Sequence, residues 1–161
     1  MEDIKKQTFG GDFVIKRTDA NTVFTPEDFS EEQLMMKESV IEFVDREIVP
    51  NRERFENKDF DLTHELMSKA GDLGFLGVAV PEEYNGLGMP FTSTMLVCDY
   101  ISGANGSFST AFGAHTGIGT MPITLYGNEE QKQKYVSKLA TGEWFGAYCL
   151  TEPGAGSDAN S

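Results

Sequence analysis

Twenty consecutive residues, Ser107 to Tyr126, carry no charged side chain. Phe108, Ala111, Phe112, Ala114, Ile118, Met121, Ile123 and Leu125 leave almost no polar face, and a helix that is apolar all round has to be buried. This segment is therefore predicted to be the central helix of a helical domain. Pro122 is expected to kink it, because the ring removes a donor and crowds the carbonyl four residues earlier.

A buried helix needs amphipathic partners, and the chain offers them. Ser30 and Gln33 form a capping box ahead of Leu34, Val40, Ile41, Phe43, Val44 and Ile48, which recur at helical spacing until Pro50. A second helix is predicted over Arg52 to Asn57, and a third over Leu62 to Gly71 with Leu66, Met67 and Ala70 inward. Another covers Phe91 to Ser102. A last helix starts at Asn128, with Glu129 and Glu130 in its first turn and Lys132, Lys134 and Lys138 later, an order that suits the helix dipole. Glu130 and Lys134 are spaced for an i,i+4 pair, the lysines read as a solvated face, and Gly142 closes the helix. The Gly/Pro-punctuated stretch from Gly74 to Gly88 holds neither period and reads as an ordered loop. Trp144 to Leu150 reads as the first strand of a new element. Before Ser30, Asp12 to Lys16 reads as a short extended piece and Thr25 to Asp28 as a turn, together an arm rather than a domain.

The 161 residues suffice for one domain, or one domain and the start of another. A hydrophobic fraction of 39% with twelve Phe supports a core. The net charge of −13, from 26 acidic against 13 basic residues, argues against nucleic acid or an anionic membrane surface as partner. No apolar run reaches membrane-spanning length, and the first residues, Met1 to Lys6, lack a secretory apolar region. Cys98 and Cys149 fit a reducing cytoplasm.

Metal and nucleotide motifs fail on spacing. His64, His115, Cys98 and Cys149 lie far apart without ligand spacing, so His64 is read as a surface residue and His115 as a core one. Gly117-Ile-Gly119 lacks the third glycine and the preceding strand of a dinucleotide fingerprint. Those glycines are expected to let helices approach closely or to leave room for a ligand beside the central helix. Ser157 is not in a nucleophile elbow.

The last fourteen residues are different: Tyr148-Cys-Leu-Thr-Glu-Pro-Gly-Ala-Gly-Ser-Asp-Ala-Asn-Ser161. A short apolar run reaches Thr151, turns at Pro153-Gly154 and enters a small-residue loop. Glycines let the backbone come close to a ligand, exposed N–H groups form an anion nest, and Thr151 and Ser157 add hydroxyls. The chemistry suits a flat polar cofactor with a pyrophosphate tail. The cations such a ligand needs must come from elsewhere.

Tyr148 to Asp158 resembles the flavin-binding motif of the acyl-CoA dehydrogenases. Two further stretches agree in order and spacing. Leu73-Gly-Phe-Leu-Gly-Val-Ala-Val-Pro-Glu-Glu-Tyr-Asn-Gly-Leu-Gly88 resembles that family's connector and departs from it only at Asn85. Ile123 to Tyr135, followed by Leu139 and Gly142-Glu143, resembles the segment leading into the flavin strand. The resemblance runs from about Ser30 to Asp158.

It implies an all-α fold, the up-and-down helical bundle of the family's N-terminal domain, followed by the first strand of a β-domain. The implied organisation is an arm over residues 1–29, the helical domain over 30–143 and the incomplete start of the middle β-domain over 144–161. The implied reaction is α,β-dehydrogenation of an acyl-CoA thioester to the trans-2-enoyl-CoA, with FAD as cofactor, in fatty-acid or branched-chain catabolism. A carboxylate takes the α-proton and the β-hydrogen leaves as hydride to the flavin. Tyr148, Cys149, Leu150 and Thr151 would line the isoalloxazine, Gly156 and Ser157 would meet the pyrophosphate, and Ser157 would also touch the CoA moiety. The catalytic glutamate of the family lies in a C-terminal bundle, so no residue here is assigned to it, and Glu152 is expected to be structural. Ending within a strand-turn unit, the chain is expected to be part of a longer protein and inactive alone. The implied partners are acyl-CoA, an electron-transfer flavoprotein, and further copies in a dimer or tetramer. Exposed apolar residues on the helices from Ser30 and Leu62, Leu66 and Met67 among them, are expected to form the docking face for that flavoprotein. Val23 to Asp28 resembles the longer members of the family, which include the very-long-chain type. Two other readings stay open: an acyl-CoA oxidase or flavin monooxygenase of the same fold, and a helical interaction module without cofactor.

Overall fold

A computed structural model describes residues 11–160; Met1 to Gly10 and Ser161 lie outside the described residues, and with them the expectation for the first residues of the chain. The chain divides into two units between Leu34 and Met35.

In the first unit, α1 (Asp12–Ile15) makes a single turn, closed by the Lys16 N–H on the Asp12 carbonyl at 2.8 Å. The Lys16 ammonium meets the Asp12 carboxylate at 3.0 Å. Asp12 to Lys16 is therefore not the extended piece expected, because a helical turn brings together two opposite charges that an extended run holds apart. Pro26–Asp28 form the predicted turn, with the Thr25 N–H donating to Asp28 Oδ2 at 2.9 Å. The Ser30 capping box is present: the Ser30 N–H donates to Gln33 Oε1 at 3.0 Å and the Gln33 N–H to Ser30 Oγ at 3.2 Å. It opens α2 (Glu31–Phe43).

In the second unit, the chain continues from α2 through a π-helical stretch, Val44–Ile48, and a 3-10 turn, Val49–Asn51, into α3 (Arg52–Glu56). Helix α4 (Phe60–Asp72) is capped by Asp59, whose carboxylate accepts the Leu62 N–H at 3.0 Å. After the connector come α5 (Phe91–Ala104) and α6 (Gly106–Gly113), a second π stretch, Ala114–Thr120, and α7 (Met121–Tyr126). The Asn128–Gln131 capping box starts α8 (Glu129–Gln131), which runs through a third π stretch, Lys132–Val136, into α9 (Ser137–Ala140).

Pro50 and Pro122 neither end nor simply kink their helices. Each follows a π stretch, whose wider turn takes the carbonyl ladder away from the ring that would otherwise crowd it. The π stretch at Lys132 also changes the register of the last helix. Glu130 and Lys134 are not among the ion pairs of the described residues. Gln133 instead donates to Glu129 at 2.9 Å, and Lys138 pairs with Glu143 at 2.7 Å while lying 4.3 Å from the Trp144 ring centre.

The core is aromatic. The Phe43 ring meets Phe75 edge-on at 5.6 Å and Phe108 at 6.1 Å, and Phe55 lies 6.0 Å from Phe108. Val40, Ile48, Leu62, Leu66, Met67, Ala70, Val97, Ile101 and Phe112 belong to it as well. Leu66 and Met67 are only 1% and 4% exposed, so they belong to this core and cannot form the docking face expected of them. Leu34 is exposed and Ile41 half-buried, so both leave the core set read from helical spacing.

The connector folds back as an ordered loop, with Leu87, Gly88 and Met89 N–H groups donating to the carbonyls of Gly77, Val80 and Val78 at 2.8–2.9 Å. Asn85, the one departure from the family pattern, adopts φ 62°, a conformation that Asn tolerates better than most residues. Its neighbour has no such latitude: a Cβ on Gly86 would stand 2.0 Å from the Val80 carbonyl oxygen.

Truncating Phe112, which is 1% exposed, removes a ring from the centre of this packing. Phe112→Ala is expected to destabilise the unit by about 3–5 kcal/mol. Urea titration followed by circular dichroism measures this, and a loss below about 1 kcal/mol would mean that the site relaxes around the void.

Candidate functional site

The π stretch Ala114–Thr120 presents two different faces. Along it and into α7, three threonines bond back to the main chain: Thr116 Oγ1, at the edge of the groove described below, donates to the Phe112 carbonyl at 2.9 Å, Thr120 Oγ1 to His115 at 2.7 Å, and Thr124 Oγ1 to Thr120 at 3.0 Å. Buried hydroxyls thus cost little, because each has a partner.

His115 sits in the same stretch at 1% exposure, as the core histidine expected. Its Nε2 lies 3.0 Å from the Leu139 carbonyl, and its Nδ1 lies 3.0 Å from the Gly146 nitrogen. A carbonyl only accepts and a backbone N–H only donates, so the ring is neutral with its proton on Nε2. Burial lowers its pKa, opposed in part by the Leu139 carbonyl. Gly119 and Gly146 touch through their backbones, and a Cβ on Gly119 would stand 2.8 Å from the Gly146 carbonyl carbon. Phe145 places its ring edge-on to His64 at 4.7 Å and to His115 at 5.9 Å.

Beyond Gly146 the chain is open. Tyr148, Cys149, Leu150 and Thr151 are all exposed. The strand expected over Trp144 to Leu150 has no ladder, because no described strand lies beside it to share hydrogen bonds. The loop closes on itself once: the Glu152 N–H donates to the Ala155 carbonyl at 3.0 Å and the Ala155 N–H to Glu152 at 3.1 Å. Thr151 and Gly156 flank this bridge, and Ser157 follows. The Thr151 and Ser157 hydroxyls make no hydrogen bond among the described residues, and nothing stands within 4 Å of a Cβ built on Gly154 or Gly156. Hydroxyls without partners beside open glycines fit a polar ligand. Glu152 and Asp158 are the loop's charged residues, so any cation that meets a phosphate must come from another segment.

The other face of the π stretch borders a groove of about 710 Å³. Phe91, Met95 and Cys98 line it from α5, and Gly117, Ile118, Met121 and Leu125 from the second wall. No charged side chain lines it. Thr94 Oγ1 is buried there without a hydrogen-bond partner among the described residues. The central helix is therefore not buried all round, as expected, but along one side. Ile118, Leu125 and Tyr126 are 50%, 59% and 86% exposed. Gly119 meets the backbone of Gly146, outside any helix, rather than a second helix, and Gly117 lines the groove.

Elsewhere, Tyr84 donates to Glu129 Oε2 at 2.9 Å, joining the connector to α8. Burial and the Glu129 carboxylate push the Tyr84 phenol up to about 12. Hydrogen bonds from Gln133 and Tyr84 hold Glu129 below its ordinary value. Among the described residues no group of three His, Cys, Asp or Glu is placed to hold a metal, and no helix is long and apolar enough to cross a membrane.

The fold and the site define a helical domain with an uncharged groove and an open, glycine-rich loop. Residues 30–143 match the family described as acyl-CoA dehydrogenase, N-terminal domain, and the chain belongs to that family. A probable acyl-CoA dehydrogenase of Bacillus subtilis (strain 168) is 45% identical over 157 residues, 98% of this chain and 26% of the relative. The crystal structure of an acyl-CoA dehydrogenase complexed with FAD from Bacillus anthracis is 49% identical and superposes with a TM-score of 0.85, covering 93% of this chain and 26% of that one. A glutaryl-coenzyme A dehydrogenase in complex with glutaryl-CoA is 34% identical with a TM-score of 0.74, over 82% of this chain and 34% of that one. The chain thus spans between a quarter and about a third of the length of these relatives.

Because folding lowers the His115 pKa, the unfolded chain binds the proton first as the pH falls. Stability is therefore complete above the unfolded value of about 6.5 and declines as the pH drops through and below it. Thermal melts between pH 8 and pH 5 are expected to show this decline, and His115→Asn to flatten it. A wild-type melting temperature that does not change across that range would show that the imidazole is not held neutral.

Proposed function

We propose that this chain is the helical part of a flavin-dependent acyl-CoA dehydrogenase, an oxidoreductase acting on CH–CH bonds that forms trans-2-enoyl-CoA in fatty-acid or branched-chain catabolism. The observation that carries the reading is the π stretch, with an uncharged groove on one side and the root of the open loop on the other. An acyl chain suits the groove, since apolar methylenes lose nothing by leaving water for a wall without charge. Thr94 offers it one hydroxyl.

FAD would supply the acceptor for the β-hydrogen. This chain's residues would bind and orient it: Tyr148, Cys149 and Leu150 against the ring system, the Thr151 hydroxyl and nearby N–H groups at its polar edge, and Gly156 and Ser157 at the pyrophosphate. Ser157 would also reach the CoA moiety. The α-proton would be taken by a glutamate outside this chain, as the family resemblance implies, with Glu152 of the loop in a structural role. Residues 1–29 would form an arm, 30–143 the helical domain and 144–161 the start of the β-domain. The whole protein would act in the cytoplasm, pass electrons to an electron-transfer flavoprotein and assemble as a dimer or tetramer. Coverage of 98% of this chain, arm included, by a relative of which it is only 26% supports a place among the longer members of the family.

The whole protein is expected to be yellow and to bleach when an acyl-CoA is added without oxygen; a colourless protein, or one that never bleaches, overturns the reading. In that protein Thr151→Ala is expected to slow flavin reduction about 10- to 100-fold while changing acyl-CoA affinity less than about threefold, since a hydrogen bond to a group gaining charge contributes about 1.5–3 kcal/mol. Equal losses in both would make Thr151 a structural residue. FAD titrated into the 161-residue chain alone is expected to show no saturable change at micromolar protein, because a few exposed hydrogen bonds of about 1 kcal/mol each do not offset the entropy of fixing so large a ligand. A stoichiometric yellow complex would mean that the loop is a complete site.

A further inference from the structure

The segment just before the loop is held far more tightly than the loop itself. The Trp144 N–H donates to the Lys138 carbonyl at 3.1 Å, and the Trp144 ring lies under the Lys138 ammonium. Phe145 stands edge-on to two imidazoles. The Gly146 N–H ends on His115 Nδ1 at 3.0 Å. From Ala147 to Thr151 every residue is exposed. The last fixed point before the proposed flavin residues is thus Gly146.

Two independent restraints converge there, one steric and one polar. A Cβ on Gly146 would stand 2.9 Å from the Gly119 Cα, so neither Phe145 nor Ala147 could take its place against that helix. The polar restraint is directional. His115 Nδ1 offers a lone pair, and it can do so only because the Leu139 carbonyl holds the ring proton on Nε2. A slip of one residue would move each of Tyr148, Cys149, Leu150 and Thr151 into its neighbour's place.

We propose that His115 is a positioning residue that sets the register in which residues 147–151 leave the helical domain, through the lone pair its Nδ1 presents to the Gly146 N–H. Its consequence for cofactor binding rests on the flavin reading above: the register decides which of Tyr148, Cys149, Leu150 and Thr151 meet the flavin. His64 is a second titratable ring against Phe145.

Three substitutions of His115 in the whole protein, with Gly146→Ala as a fourth variant, separate positioning from packing. Asn carries Oδ1 where His carries Nδ1, so His115→Asn keeps an acceptor for Gly146 and loses the bond to Leu139. Gln extends an amide towards the Nε2 position, so His115→Gln keeps a donor for Leu139 and loses the acceptor. His115→Leu loses both. Hydrogen exchange by mass spectrometry on the 145–151 segment, the flavin content of the purified protein and its melting temperature are measured together. His115→Asn is expected to retain the protection of the segment and flavin within about twofold of wild type. His115→Gln and His115→Leu are expected to lose about 100-fold of the protection of the Gly146 amide, an opening that a made hydrogen bond prevents, and to lose flavin with it. Gly146→Ala, which leaves His115 in place, is expected to lose flavin while the rest of the helical domain keeps its protection.

The proposal is overturned if His115→Gln keeps both readouts and His115→Asn loses them. It is equally overturned if all three variants lose flavin only in proportion to melting temperature. A wild-type protein without flavin would sink the flavin reading, while exchange at residues 145–151 would still decide the anchor.

Discussion

One imidazole with two hydrogen bonds organises the end of this domain. His115 lies in the most apolar stretch of the chain, and a polar ring there is tolerated only because both nitrogens are satisfied. Leu139 takes its proton and Gly146 supplies one, so the central helix, the close of the last helix and the outgoing chain meet at a single side chain. Losing either partner would leave a buried polar atom unpaired. The Gly119–Gly146 contact depends on the same meeting, since the two backbones touch only while the chain is held there.

The π stretches make that meeting possible. A regular α-helix running into Pro122 would push a carbonyl against the ring. The wider turn over Ala114–Thr120 avoids this, and Thr116, Thr120 and Thr124 bond to carbonyls along it. The same widening turns His115 and Gly119 to the outgoing chain while Gly117 and Ile118 stay at the groove. Pro50 follows the same arrangement after Val44–Ile48, so the device belongs to the bundle rather than to one site.

Charge is kept away from the places where a ligand would lie. The groove has no charged wall, and the loop offers neutral N–H and hydroxyl groups between two acids. With a net charge of −13, the chain has little to offer a phosphate beyond oriented dipoles. Its acids serve structure instead: Asp59 caps α4, Glu129 receives Tyr84, and Glu143 holds Lys138 over Trp144.

The sequence by itself determined most of the helices. The capping box at Ser30, the helix start at Asn128, the apolar spacing of Val40, Phe43, Val44 and Ile48, and the inward set Leu66, Met67 and Ala70 depend on neighbours a few residues away, which a sequence displays directly. The turn at Pro153-Gly154 was legible for the same reason, since turn residues lie side by side in the sequence. Only the tertiary structure decided what depends on distant pairs. That His115 would meet residues 24 and 31 positions along the chain, and that Gly119 would face Gly146, has no local signature. The open side of the central helix was hidden too, because an uncharged helix looks the same in sequence whether protein or a ligand covers it. Strand structure at Trp144 to Leu150 failed for a related reason: a strand is a property of two segments, and hydrophobic alternation in one does not supply the other's hydrogen bonds.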